Sequence, residues 1–386
     1  MYHLTFLGTS AGIPTKQRNV TALAVECVNP YLAGDKVKSK KWRPWLLVDC
    51  GEGTQHQILR TKLSGHNLAA ICITHAHGDH CYGLPGLLAS LAMSGRTRPL
   101  TIIAPKAIGI LLDTLAVTTE LYFTYPIEFI GIEDLLAGSY ASATGLATAQ
   151  MAETDENCKG NNDNVNAKQT HSIVLNFFPT QQLTIEVIPL SHRVASHAFV
   201  LTQRLVTNKL DTEKLRADGI AAGKNWGKLQ QGLDVTLENG EILQSQEYVK
   251  QDIEVTKIIV AGDNDTPSLL AEAASDAVLV VHEGTYTESV LARIQAKVTD
   301  SDVNDAIDPM HSTAAQVAKF AAETGVPNLI LTHFSARYQG YDDATSDTPN
   351  MADIRVEAEQ HYHGNLWLAK DFAQFTVSDK VKRIEE

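Results

Sequence analysis

The stretch Thr74-His75-Ala76-His77-Gly78-Asp79-His80 constrains this chain more than any other. It follows the apolar run Ala69-Ala70-Ile71-Cys72-Ile73, which reads as a buried strand, so the polar residues stand where that strand ends. Imidazoles at 75, 77 and 80 with a carboxylate at 79 suit a borderline cation such as zinc. His75 and His77 are two apart and point to the same side of an extended backbone. Beyond Gly78 the chain is free to turn and aim Asp79 and His80 elsewhere. Four such groups crowd a single ion, and the pattern points to two metal ions side by side. The bland alternative is a histidine-rich surface loop or a stray metal site. Completion of the cluster by Asp79-His80 at a strand end favours the functional reading.

The second half of the chain repeats this logic. Leu183 to Ile188 alternates as a strand and delivers Ser191-His192, and Ile258-Ile259-Val260-Ala261 delivers Gly262-Asp263. Val278 to Val281 delivers His282-Glu283, and Leu329-Ile330-Leu331-Thr332 delivers His333. In layered α/β proteins functional groups gather at the carboxyl ends of strands, so these termini are expected to converge. Any one of them alone reads as an ordinary strand end with a local hydrogen bond.

Around these ends, Leu4 to Leu7 reads as an opening strand and Gly8 to Pro14 as a small-residue loop able to approach a phosphate, followed by Lys16, Arg18 and Asn19. Helices are expected over Gln55 to Leu63 and Lys106 to Leu121, and after Gly83, with Pro85 near its first turn. A chain of 386 residues with 44% hydrophobic residues has material for a sizeable core, read as one domain, 1–386, with insertions. Ser139 to Ser172, rich in Ala, Thr, Asn and Asp, reads as a flexible insertion. Five cysteines (27, 50, 72, 81 and 158) form no CxxC pair, and their odd number argues against a disulfide framework. No apolar run approaches a membrane span, and the N-terminal one is too short for a secretory signal, so a cytoplasmic enzyme is expected.

The net charge of −13 argues against broad adhesion to nucleic acid. Charge is uneven, however. Between Arg193 and Lys228 seven Lys or Arg stand against Asp211, Glu213 and Asp218, a net +4. Such an arm suits local phosphate binding, and equally a solvated helix face, since Asp211 to Asp218 mixes signs at helical spacing. Trp226 suits base stacking or packing within the arm.

Several motifs carry a resemblance: the loop Gly8 to Pro14 with Arg18-Asn19, Asp49-Cys50-Gly51-Glu52-Gly53-Thr54-Gln55, the histidine cluster with Gly83-Leu84-Pro85-Gly86, Gly262-Asp263, His282-Glu283-Gly284-Thr285, His311-Ser312-Thr313, and Thr332 to Tyr338. In this order they resemble the short-form ribonuclease Z (ribonuclease BN) endonucleases, which process the 3′ end of transfer RNA and belong to the metallo-β-lactamase superfamily. The His-x-His-x-Asp-His element is common to the superfamily, whereas the Gly-Leu-Pro-Gly continuation and the later elements are more specific.

The resemblance implies an α/β fold, a four-layer αββα sandwich with a protruding RNA-binding arm over 204–228. It implies two Zn2+ ions, or Mn2+ in their place: His75, His77 and His192 on one, Asp79, His80 and His333 on the other, and Asp263 bridging. Asp79 is implied as base or orienting group for the attacking water, Glu283 and His311 as a relay protonating the leaving 3′-oxygen, and Asp49 as a residue fixing the metal loop. Precursor transfer RNA is the implied substrate, with Lys16, Arg18, Asn19, Lys214, Arg216, Lys224, Lys228 and Arg337 as candidate contacts, in a homodimer whose arm serves the other subunit's site, with no organic cofactor. Two departures stand out. The arm's usual proline-rich turn is Gly219-Ile220-Ala221-Ala222-Gly223-Lys224 here, and Gly284 replaces the usual alanine. A sibling phosphodiesterase or arylsulfatase-like hydrolase, an iron-bearing oxidoreductase of the superfamily, a non-catalytic RNA-binding subunit and 3′ exonuclease trimming are the alternatives.

Overall fold

Two alternating apolar patterns run through the N-terminal strands, and the fold buries both. The computed structural model describes residues 1–31, 43–139, 149–151, 172–230, 232–237, 239–299 and 310–385. Tyr2, Leu4 and Phe6 of the strand Tyr2–Gly8 fall into one buried cluster with Val25, Leu46 and Cys72; Leu7, Ala24, Leu47 and Ile73 fall into a second. The first cluster also holds Ile173, Ile185, Phe199 and Ile258, which share the second sheet's inner face, so these side chains lie between two sheets. The second holds Ile58, Leu84, Leu87, Leu88, Ile108 and Leu112 from the helices Thr54–Leu59, Leu84–Met93 and Lys106–Thr119, so it lies on the outer face. Period-two alternation thus assigns each side chain to one of two layers.

The first sheet has eight strands in the order Val381–Ile384, Gln374–Val377, Tyr2–Gly8, Ala22–Cys27, Trp45–Val48, Leu68–Cys72, Leu100–Ala104, Ile127–Gly131. The second, also of eight, runs Asn365–Leu368, Asn328–Thr332, Leu279–Glu283, Val249–Ala261, Ser196–Leu210, Gln181–Leu190, Ser172–Phe178, Ala149–Met151. Helices Ala314–Thr324 and Met351–Glu359 pack their apolar faces, including Val317, Phe320 and Ile354, onto its outer side. The result is the expected αββα sandwich.

Local chemistry sets the helix limits. Ala314–Thr324 begins at Thr313, which forms a reciprocal capping box with Gln316, and ends at Gly325 with φ 69°. The helix expected to reach Leu63 stops at Leu59, because the Thr61 hydroxyl donates to the Ile58 carbonyl and accepts from Leu63 N–H, competing with the helical ladder. Cys27, Cys50, Cys72 and Cys81 are buried free thiols. Cys158, and the expected insertion at 140–148 and 152–171, lie outside the described residues.

The strands Ser196–Leu210 and Val249–Ala261, 15 and 13 residues long, pair from Ala198–Ala261 to Leu210–Val249. Residues 250–255 are exposed, so the distal half of this ribbon stands clear of the sandwich. Its tip carries the helices Thr212–Ala217 and Lys224–Gln230 and the small hairpin Val235–Thr236 with Ile242–Leu243, around a private core of Leu215, Leu229, Val235, Leu243 and Tyr248. Trp226 packs against that core and donates its indole N–H to the Ile220 carbonyl at 3.3 Å.

This excursion extends past the expected 204–228, and its second limb changes the charge reading. Residues 229–255 bring six acids and one lysine, and Lys250–Asp211 (2.9 Å), Lys209–Asp252 and Lys214–Glu247 (3.9 Å) pair across the limbs. Arg216, Lys224 and Lys228 remain without a carboxylate partner among the described residues, with Arg216 over the Trp226 ring at 6.0 Å. The arm is patterned rather than uniformly basic.

Arg96 is fully buried and holds together the segments that lead into the neighbouring strands Leu68–Cys72 and Leu100–Ala104. Its guanidinium donates to the carbonyls of Arg98 (2.8 Å), Gly65 (2.6 Å), Leu68 (2.7 Å) and Pro99 (2.6 Å). Arg96→Ala would leave these carbonyls unpaired, at a cost of about 3 kcal/mol or more. We expect a lower urea midpoint for that variant, with Arg96→Lys intermediate because an ammonium cannot span the same fork. An unchanged midpoint would refute this role.

Candidate metal centre and catalytic cleft

Strand direction brings the site together. Gln181–Leu190 runs antiparallel to Ser196–Leu210, which runs antiparallel to Val249–Ala261, and the latter is parallel to Leu279–Glu283 and Asn328–Thr332. All four delivering strands therefore end on one edge, where His192, Asp263, Glu283 and His333 meet the cluster carried by Leu68–Cys72 and the short helix Gly78–Cys81.

His75, His77, His192 and Asp263 form one set of facing donor atoms, and Asp79, His80 and His333 a second. In the first, His75 Nε2 and His77 Nδ1 are 3.1 Å apart and His192 Nε2 and His77 Nδ1 3.2 Å, with Asp263 Oδ2 at 3.6 Å from His75 and 3.7 Å from His192. In the second, the Nε2 atoms of His80 and His333 are 3.2 Å apart, with Asp79 Oδ2 at 3.5 and 3.4 Å from them. Asp263 Oδ1 lies 3.4 Å from His80 and 3.3 Å from His333, so one carboxylate faces both sets. Ligands about 2.0–2.1 Å from a tetrahedral centre sit about 3.3–3.4 Å from each other. The donor sets therefore fit divalent cations by spacing and by chemistry.

The outward ring nitrogens are tied down. His80 Nδ1 lies 2.7 Å from Asp49 Oδ2, His192 Nδ1 2.9 Å from the Met310 carbonyl, His75 Nδ1 3.0 Å from Thr74 Oγ1, and His333 Nδ1 3.0 Å from Thr285 Oγ1. Those partners turn Nε2 of each ring to the centre and fix its tautomer. Asp49 also accepts from Thr74 N–H at 2.8 Å. Asp49 and His333 both adopt left-handed backbone, φ 59° and 57°. Gly51 packs so closely that a Cβ there would sit 2.2 Å from the Asp79 carbonyl oxygen.

Beside the donor sets, His311 Nδ1 lies 2.9 Å from Glu283 Oε2 and 3.7 Å from Asp263 Oδ2. Glu283 is buried and accepts from Asn264 N–H at 2.6 Å and from the Thr285 hydroxyl. Burial alone would strip the His311 proton, but the charge and hydrogen bond of Glu283 outweigh it and push the pKa up to about 9. Burial likewise opposes ionisation of Glu283, yet His311 holds it below the usual carboxylate range. The pair favours the imidazolium form of His311, with Nδ1 facing the carboxylate and Nε2 directed away from it.

Comparison with known proteins decides the family. The chain is 42% identical over 373 residues to a ribonuclease Z of Marinobacter nauticus, covering 97% of this chain and 95% of the relative. It belongs to the ribonuclease Z family. A ribonuclease Z of Pseudomonas putida is 40% identical over 97% of this chain and 96% of its own length, and a ribonuclease BN of Erwinia tasmaniensis 31% identical over 88% and 91%. Among solved structures, human short-form tRNase Z matches with TM-score 0.52 and 20% identity over 97% of this chain and 99% of that one. The metallo-β-lactamase fold protein YhfI of Bacillus subtilis matches with TM-score 0.52 and 14% identity, over 97% and 98%. These two share the metallo-β-lactamase fold with this chain. The profile of the anti-Pycsar protein Apyc1 matches residues 38–120, a stretch with the His75–His80 cluster but without His192, Asp263 or His333.

For this family member, the expected substrate contacts fall into three groups. Lys16 and Arg337 are exposed, Arg337 reaching Ser335 Oγ at 3.2 Å and standing over the Tyr286 ring at 6.0 Å. Arg18 is buried and donates to the carbonyls of Ser335 (3.2 Å) and Tyr338 (2.6 Å). It is a clamp between loops rather than a contact to substrate, a correction to the sequence reading. Asn19 is similarly engaged, its side chain donating to the Glu52 carbonyl at 3.0 Å. Lys214, Arg216, Lys224 and Lys228 are all on the arm, away from the metal-ligand edge. The sequence reading missed Arg193, Tyr82 and Glu52, which with Gly12, Ile13 and His77 line a cleft of about 480 Å³ over the donor sets. Adjacency of Arg193 to His192 was the available signal.

Because Asp263 faces both sets, Asp263→Ala should lower bound divalent metal in elemental analysis below that of a single-set variant such as His77→Ala. Chelation should lower the thermal midpoint of the wild-type protein and leave that of Asp263→Ala nearly unmoved. Equal shifts in both proteins would argue against a shared carboxylate.

Proposed function

We propose that this chain is a metal-dependent endoribonuclease that cleaves precursor transfer RNA at its 3′ end and leaves a 3′-hydroxyl. What carries the reading is the Glu283–His311 pair set beside two donor sets that share Asp263, in a chain 42% identical to a ribonuclease Z over nearly its whole length. We assign two Zn2+ ions, with Mn2+ able to serve, one to His75, His77 and His192, the other to Asp79, His80 and His333, with Asp263 on both. Bound ions supply positive charge for the phosphodiester oxygens and lower the pKa of water.

The chain's own groups do the remaining work. Gly12 N–H donates to Asp79 Oδ2 at 2.7 Å, fixing a carboxylate that orients the attacking water in line with phosphorus. As the new P–O bond forms and the bond to O3′ breaks, His311 gives the Nε2 proton to O3′ and Glu283 holds the ring through the change. The phosphate stays with the trailer. Arg193 and Arg337 offer cations to flanking phosphates at the cleft, and the arm's Lys214, Arg216, Lys224 and Lys228 offer them farther along the RNA.

The arm's tip and the site lie at opposite ends of the same two strands, and 15 residues at about 3.3–3.4 Å each place Leu210, where the tip begins, on the order of 45–50 Å from Ser196. That separation supports a homodimer in which one subunit's arm serves the other's site. Leu59, Met93, Ile110, Val117 and Tyr122, exposed on the outer side of the first sheet's helical layer, offer a second copy an apolar face. Among the described residues no helix is long and apolar enough to cross a membrane, and we place the enzyme with its substrate in the cytoplasm.

With end-labelled precursor transfer RNA, we expect cleavage at the acceptor-stem boundary with a free 3′-hydroxyl, and none with Asp263→Ala. Hydrolysis of a small aryl phosphodiester without any RNA product would hand the function to a sibling hydrolase. His311→Asn and Glu283→Gln should lower kcat about 10²–10⁴-fold with bound metal retained; a parallel loss of metal would recast His311 as a ligand.

Mixing separates the two arm arrangements. An arm-deleted chain, lacking 206–254, and Asp263→Ala should each be poorly active alone. Dimers formed from both should recover activity, because the intact arm of one then serves the intact site of the other. No recovery, or a monomer that cleaves normally, would reject service in trans.

A further inference from the structure

His282 is a fully buried imidazole that stands outside both donor sets and outside the Glu283–His311 pair. Its ring bridges two groups. Nδ1 lies 2.9 Å from the Glu283 carbonyl oxygen, and Nε2 lies 3.1 Å from Asn264 Nδ2. A carbonyl oxygen only accepts, so Nδ1 carries the proton. The Asn264 amide is oriented by its other end, where Oδ1 accepts from the backbone N–H groups of Ser191 at 3.3 Å and Thr266 at 3.1 Å. Nδ2 must therefore face the ring, and Nε2 must offer it a lone pair. These bonds admit one proton arrangement, a neutral His282 protonated on Nδ1, and burial pushes its pKa down in agreement.

Asn264 directly follows Asp263, the carboxylate that faces both donor sets, and is itself fully buried. Its polar groups reach every other segment that builds the acid side of the site. The backbone N–H donates to Glu283 Oε1 at 2.6 Å, and the backbone carbonyl accepts from Ser312 Oγ, beside His311, at 2.5 Å. Any residue offers those two backbone groups. The side-chain bonds need an acceptor and a donor in one short planar group, which Asn supplies. Through Nδ2 and His282 that side chain fixes the carbonyl of Glu283, while the backbone N–H fixes its carboxylate. Glu283 is thus held at both ends by the residue next to Asp263.

We propose that Asn264 is a positioning residue for protonation of the leaving group: acting through His282, its amide sets Glu283, and with it the proton donor His311, in register with Asp263 and the scissile bond. The inference rests on the endoribonuclease reading. A ribose O3′ departs as a costly alkoxide unless a proton reaches it as the P–O bond breaks. A bridging sulfur or an aryl oxygen departs as a stable anion and needs no such proton. Loss of the positioning should therefore follow the leaving atom, whereas a general loosening of the site would slow every substrate alike.

Asn264→Ala and His282→Phe in the full-length, metal-loaded protein test this. The substrates are precursor transfer RNA, the same RNA with sulfur in place of the scissile O3′, and a bis-aryl phosphodiester. For each variant we expect kcat on the natural RNA to fall about 10²-fold with KM and bound metal held, since a misplaced catalytic group costs about that much. On the sulfur-bridged RNA and the aryl diester kcat should hold. In a His311→Asn background Asn264→Ala should cost almost nothing more, because the proton it helps to place is already gone. Equal losses on all three substrates in both variants overturn the proposal, as does an unchanged kcat on the natural RNA in both. Loss of metal in parallel with activity, or full additivity with His311→Asn, also overturns it. Where one variant fails to fold, the other carries the test. Failure of the wild-type protein to cleave RNA would instead strike the underlying function.

Discussion

Asp79, Asp263 and Glu283 share one edge of the sandwich with six imidazoles, and almost all of this charge is removed from water. Buried groups of like sign repel, and buried groups without partners are destabilising by several kcal/mol. The arrangement persists because opposite charges interleave: His311 faces Glu283, His80 faces Asp49, and Asp263 stands between the two histidine sets. Burial pushes the Asp79 and Asp263 carboxyls toward neutrality, yet the surrounding imidazoles hold both below the ordinary range. Carboxylates kept ionised in so dry a place suit the cation-binding role proposed for them. Much of the surrounding structure, from the capping of helices to the direction of strands, serves to hold this edge against its own desolvation cost.

The residues that form the donor sets were legible in the sequence because they follow apolar runs whose pattern dictates burial. His75 to His80, His192, Asp263 and His333 occupy strand ends, and strand ends in a layered fold converge. Other features depended on partners distant in sequence. Arg18 looks like a phosphate contact until Ser335 and Tyr338 present their carbonyls to it. The basic segment from Arg193 to Lys228 looks positive until Asp252 and Glu247 return on the second limb of the ribbon. Such reversals are invisible to any reading of local charge, since they follow from the pairing register between two strands some forty residues apart. Arg193 and Tyr82 carry no motif, and only the shape of the cleft singles them out.

The long ribbon explains how one sheet serves two tasks. In the strands Ser196–Leu210 and Val249–Ala261, one end is buried within the sandwich and leads toward the metal ligands, while the other is exposed and ends in an arm with its own small core. A private core lets the tip hold its shape without resting on the body, so changes in its turn, such as the loss of prolines around Gly219 to Lys224, need not propagate along the strands to His192 or Asp263. The two ends are mechanically joined and energetically separate. Hydrogen bonds of the ladder set the distance between them, and packing at each end sets the local geometry.

Backbone strain follows the same division. Five non-glycine residues among those described have positive φ: Asp49, Glu120, Met310, His333 and Phe372. Glu120 closes a helix, an ordinary use of that conformation. Phe372 lies in the turn that Ala373 N–H closes on the Lys370 carbonyl at 2.9 Å, another ordinary use. The other three stand at the donor sets: His333 belongs to one, and Asp49 and Met310 hold the outward nitrogens of His80 and His192. Each such residue costs of order 1–3 kcal/mol, and a fold keeps it only where its surroundings over-determine the backbone. Here the surroundings are two fully buried sheet faces whose side chains admit little adjustment. The rigidity that packing gives the sandwich is therefore what allows the edge to hold donors in orientations a relaxed chain would abandon.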